Sequence, residues 1–73
     1  MPDNFTYERT WAEIHDMLDK AEREKNRHSI NMGDKKLDTK TRMFHARNFK
    51  ALEGVCKTLR WVLGDVRVDH PLE

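Results

Sequence analysis

The chain has one cysteine, Cys56, among 73 residues. A single thiol builds no disulfide framework, so the small folds that depend on such staples are excluded. Cys56 sits inside an apolar pattern, where it reads as a small buried hydrophobe suited to a reducing compartment rather than as a nucleophile. The three glycines are isolated, so there is no glycine-rich loop to cradle phosphate. Apolar runs reach only two or three residues, which excludes a membrane-spanning helix and the core of a signal peptide. The expectation is a cytoplasmic protein. No internal repeat or low-complexity tract is present. No catalytic signature is present either, and the chain is expected to be no enzyme and to need no cofactor.

What the chain has is charge at helical spacing. Charged residues make up 37% and hydrophobic residues another 37%, a lean mixture more typical of long helices than of a sandwich. At this length one domain is the limit, and a lone chain buries only about 60% of its unfolded surface. From Tyr7 the apolar residues Tyr7, Trp11, Ile14, Leu18 and Ala21 follow in steps of four and three, and the seam turns polar at Lys25 and His28. This predicts a first helix over about 6–28 with Thr6 as its N-cap, after an arm of residues 1–5. "SINMG", Ser29 to Gly33, breaks the pattern and predicts a turn over about 29–35, with Asp34 available to cap the next helix.

The second helix is predicted over about 36–63. It carries Phe49, Leu52, Val55, Cys56, Leu59, Val62 and Leu63, with Phe44 and Ala51 along one edge. Gly64 is expected just past its end, before a tail over 65–73 in which Val66 and Val68 alternate with Arg67 like a brief strand. Leu72-Glu73 read equally as native chain or as a junction to an affinity tag, so they carry no weight in the fold. The fold class is all-α, an antiparallel two-helix hairpin. Its apolar stripe is wider than one neighbour covers, which predicts pairing of two hairpins into a four-helix bundle, a homodimer being the commonest assembly. The expected core or oligomer interface is Trp11, Ile14, Leu18, Phe49, Leu52, Val55, Cys56, Leu59 and Leu63. Gly54, costly inside a helix, marks either a close helix crossing or a tolerated exposed position. Trp61 stands on the Lys50–Gly54–Lys57 edge, where a second chain, Ile30 and Met32 of the turn, or the tail would cover it, unless it anchors another molecule.

Charge is unevenly distributed. Residues 1–33 carry a net charge of −2, residues 34–63 of +5, and residues 64–73 of −2. The second helix thus has a basic face with Lys40, Arg47, Lys50 and Lys57 near one another and Arg42 and Arg60 on adjoining edges. Arg47, Lys50, Lys57, Arg60 and Trp61 form a candidate nucleic-acid or partner-binding set. No recognised nucleic-acid fingerprint accompanies it and the whole chain is nearly neutral. The favoured reading is therefore a solvated face that pairs with the acidic first helix. His15 and Asp19 share a helix face, and a hairpin brings His28 and His45 toward its turn end. Two histidines alone make a poor metal site, and no metal is expected. The acids Glu13, Asp16 and Asp19 suit a wet face rather than paired-carboxylate catalysis.

The segment "HARNFKALEGVCKTLRWVLGD", with "DHP" near the end, resembles small, charged, helical proteins encoded by bacteriophages and prophages. The resemblance covers the second half of the chain and rests on composition. It implies a bacterial or viral cytoplasmic setting, and no catalytic or binding residue carries over from it. The expectation is a non-enzymatic interaction protein acting through homo-oligomerisation and a protein partner, with nucleic-acid binding as the alternative and no membrane.

Overall fold

A computed structural model describes residues 4–73, which form two helices, α1 (Trp11–Met32) and α2 (Thr39–Val62). No strand occurs among the described residues. Partner residues run in opposite directions: Glu22 meets Arg60, His28 meets His45, and the Met32 carbonyl meets Arg42. The hairpin is therefore antiparallel and all-α.

α1 starts later than its apolar spacing predicts. The Thr10 hydroxyl accepts from the Glu13 N–H at 3.1 Å, and the Glu13 carboxylate accepts from the Thr10 N–H at 3.0 Å. This capping box satisfies two backbone donors at once. Arg9 reaches the same carboxylate at 3.2 Å. Hydrogen bonds from Thr10 hold the Glu13 carboxyl below its ordinary value. Thr6 is thus not the cap, and Tyr7 lies before the helix with φ 57, the left-handed region. Thr10→Ala is expected to cost about 1 kcal/mol. Urea unfolding should read this as a lower midpoint with an unchanged slope.

α1 also ends later. Ser29 to Met32, expected as a turn, are its last turn. Ala21, Lys25, His28 and Met32 continue the four-three spacing, and packing on α2 outweighs the weak local break. The helix stops at Gly33, whose N–H donates to the Ile30 carbonyl at 3.3 Å. Asp38, not Asp34, caps α2, accepting from the Thr41 N–H at 3.0 Å; Asp34 instead closes a local turn onto the Lys36 N–H.

At the far end the Gly64 N–H donates to the Trp61 carbonyl at 3.0 Å and the Asp65 N–H to the Arg60 carbonyl at 2.9 Å. This paired closure needs Gly64 at φ 83. Beyond it the chain turns. Asp65 accepts from the Arg67 guanidinium at 3.0 and 2.8 Å and from its backbone N–H, which holds its carboxyl down at about 2. That local turn replaces the strand-like segment expected from Val66 and Val68.

The packed line between the helices is thin. Cys56 is fully buried, Ala21 and His28 nearly so, and most remaining seam residues are half-buried. Trp11, expected in the core, is 66% exposed at the open end. The molecule measures 46 × 30 × 22 Å, and its radius of gyration is 15.2 Å. A compact chain of this length would have about 11 Å. It exposes 6141 Å², against about 4,700 Å² for a typical folded monomer of its mass. No helix among the described residues is long and apolar enough to cross a membrane.

Candidate functional site

α2 carries two strips: one packs along α1, and the other touches α1 only through the edge of the Phe44 ring against His28. The strip of His45, Phe49, Leu52, Cys56, Leu59 and Leu63 is half-buried or buried against α1. One residue earlier at each step runs a second strip of Phe44, Asn48, Ala51, Val55, Thr58 and Val62. All of these are exposed except half-buried Asn48. A one-residue offset turns the second strip about 100° from the first. The two strips therefore face nearly a right angle apart, and α2 offers apolar surface to a second neighbour besides α1. α1 has a single apolar seam, flanked by Glu13, Met17, Lys20, Glu24 and Arg27 on one side, where only Met17 is apolar, and by His15, Asp19, Glu22 and Asn26 on the other.

Of the nine residues expected in the core or oligomer interface, Ile14, Leu18, Phe49, Leu52, Cys56, Leu59 and Leu63 lie along the α1–α2 line. Val55, 43% exposed, lies on the second strip instead. The open side of that strip forms a shallow apolar groove lined by Ala51, Gly54, Val55, Thr58 and Leu59, with Pro71 and Leu72 of the tail as its wall. Asn48 and Thr58 conceal the strip from a search for apolar residues alone. Its regular four-three spacing is the signal that finds them.

Gly54 is not at a close crossing within the chain. A Cβ built on it meets nothing within 4 Å. Gly54→Ala is expected to stabilise α2 by about 1 kcal/mol through helix propensity and a less flexible unfolded chain. A thermal midpoint several degrees higher would register it. Trp61 is 50% exposed. Ile30 and Met32 do not cover it, since the antiparallel hairpin places them at the opposite end of α2.

The basic candidates are divided. Lys50, Lys57 and Arg60 converge with Lys25 of α1, a residue outside the expected basic set, on a cleft that also contains Glu53, Gly54 and the tail residues Pro71, Leu72 and Glu73. Arg60 pairs with Glu22 across the helices, Lys50 with Glu53 at 3.3 Å, and Arg42 donates inward to the Met32 carbonyl. Arg47 stands apart, beside Met43, Ala46 and Lys50.

The His28 and His45 Nδ1 atoms lie 2.8 Å apart, and Arg27 Nη2 lies 3.4 Å from His28 Nε2. Guanidinium only donates, so His28 Nε2 accepts and its proton is assigned to Nδ1. That proton is donated to His45 Nδ1, which places the His45 proton on Nε2. Burial pushes the His28 pKa down, helped by the Arg27 charge and by His45. Among the described residues no three His, Cys, Asp or Glu side chains converge as ligands. His15 and Asp19 remain exposed on α1. Burial pushes the Cys56 thiol up, which disfavours the thiolate. No protein-family model, curated protein or solved structure matches this chain.

Proposed function

We propose that this chain is a non-enzymatic interaction protein that works as a homodimer, two hairpins forming a four-helix bundle that presents its charged outer faces to a protein partner. The observation that carries the reading is the open second strip of α2. The surface supports it: the chain exposes roughly 1,400 Å² more than a typical monomer of its mass. Obligate homodimers bury from about 1,000 Å² per partner upward, so a second copy suits that excess. Sedimentation equilibrium at micromolar concentration should give twice the 8.7 kDa chain mass. A single-chain mass with a cooperative melt would end the reading.

A second reading is binding of phosphate backbones by the cleft of Lys25, Lys50, Lys57 and Arg60. It is favoured by the convergence of these cations from both helices. It is opposed by Glu22 and Glu53, which already pair with three of them, Lys25, Arg60 and Lys50, and by Glu73 at the cleft. With few free cations, the expected outcome is no retained duplex DNA or single-stranded RNA in gel shifts at low salt and about 10 µM protein. A retained band that disappears with added salt would reverse the order of the two readings.

A further inference from the structure

A homodimer can be built in more than one geometry. Resting on the homodimer reading, we infer that the second copy docks antiparallel, α2 against α2, about a two-fold axis level with Glu53. The second strip has the same kinds of residue when read from either end: apolar Phe44, polar Asn48, apolar Ala51, apolar Val55, polar Thr58, apolar Val62. An isologous contact demands that property, because each residue i meets j while j meets i. Reversing the strip on itself pairs Phe44 with Val62, Asn48 with Thr58 and Ala51 with Val55 of the second copy. All six positions then find partners of their own kind.

The polar layer can be satisfied. The Asn48 side-chain N–H donates to the Phe44 carbonyl of its own helix at 2.9 Å. Its Oδ1 is left to accept the Thr58 hydroxyl of the second copy. A polar pair within an apolar seam fixes register, since any slip would bury both groups without partners. The small side chain of Ala51 opposite Val55 lets the helices approach near the axis.

The same register answers for two exposed residues beside the strip. Arg47 and Trp61 occupy the flank away from α1, where antiparallel helices bring equivalent flanks together. Arg47 then lies beside Trp61 of the second copy, a guanidinium over an indole face, and does so twice by symmetry. A parallel pair would set Arg47 against Leu52 and leave Trp61 open. The excess surface is what a second chain would cover, and a strip that reads alike from both ends suits a second copy in this orientation.

The test is disulfide trapping with Asn48→Cys and Thr58→Cys. In the antiparallel dimer the two altered positions face each other. Two Asn48→Cys chains hold their thiols ten residues out of register, about 15 Å along the helix, beyond disulfide reach. Mixing the variants under mild oxidation should give a mixed dimer on non-reducing gels, and neither variant alone should give one. The wild-type chain is the control, since its only thiol, Cys56, is buried. Sedimentation and helicity are measured on each reduced variant. Phe44→Cys with Val62→Cys repeats the test should the first pair lose helix content.

Cross-linking of each variant with itself would show a parallel pair and overturn the orientation while leaving the dimer. A dimeric mass without any cross-link would place the interface on another face and overturn the inference alone. A monomeric, helical chain would overturn the inference together with the homodimer itself.

Discussion

Val55→Asp should abolish the dimer at micromolar concentration and remove most of the helical signal with it. Val55 is the central large apolar residue of the open strip, about 100° round the helix from the strip that packs on α1. In a chain that folds alone, a carboxylate at a 43% exposed helical position would cost only a few tenths of a kcal/mol of helix propensity. In a dimer each copy contributes one, so two charges enter a seam that offers them no partner. An unpaired polar or charged group taken from water costs at least about 2–3 kcal/mol even after relaxation. Doubled by symmetry this is about 4–6 kcal/mol, and at 1.4 kcal/mol per decade the dissociation constant rises by roughly a thousandfold or more. Helicity should fall as well, because the lone hairpin buries little and helices in proteins draw most of their stability from packing an apolar face. Asn26→Asp, on the exposed outer face of α1, is the control and should leave mass and helicity unchanged. Equal behaviour of the two variants would mean that the strip touches nothing.

Much of the fold is legible in the sequence because two helices joined by a short turn leave few alternatives. The four-three spacing of Ile14, Leu18 and Ala21, and of Phe49, Leu52, Cys56, Leu59 and Leu63, is written in side chains that water disfavours. The ends of the helices are harder to place. Thr6 and Thr10 are both plausible caps, and what separates them is the Glu13 carboxylate reaching back, a pair only three residues apart. Ser29 to Met32 look like a break to a local rule. Yet the His28 ring is held by His45, seventeen residues further on, and this carries the helix through them. The candidate face is only half visible in the sequence. Its apolar members Phe44, Ala51, Val55 and Val62 merge on a helical wheel into one broad stripe with the α1-facing residues. Dividing that stripe into two requires knowing where α1 lies. The basic set is misjudged for a similar reason: the pairing of Arg60 with Glu22 and the arrival of Lys25 depend on how the helices cross, which periodicity does not specify.

The histidine pair predicts a loss of stability in mild acid. His28 is one of very few buried residues in the hairpin, so whatever disturbs it disturbs a large share of the packed line. The groups facing it are known. Arg27 and Glu24 approach from its own helix, Glu24 being already engaged by Arg27 at 2.9 Å; His45 and the Phe44 ring approach from α2. A proton added at His28 Nε2 turns an acceptor into a donor facing Arg27, which breaks that hydrogen bond and places positive charge beside positive charge. The sign is set by the depressed pKa of His28. Below the ordinary histidine value, about 6.5, the unfolded chain takes up a proton that the folded chain refuses. Stability is therefore fully present above that value and is lost progressively as pH falls through it toward the lower folded pKa. Thermal midpoints measured at pH 7.5, 6.5 and 5.5 should decline across this series, in a range where most carboxylates remain ionised. His28→Leu keeps an apolar side chain in the seam without a proton site, and its midpoint should vary much less between the same pH values. If the variant and the parent lost stability in parallel, the acid response would belong to other groups and the pair would be only a packing contact.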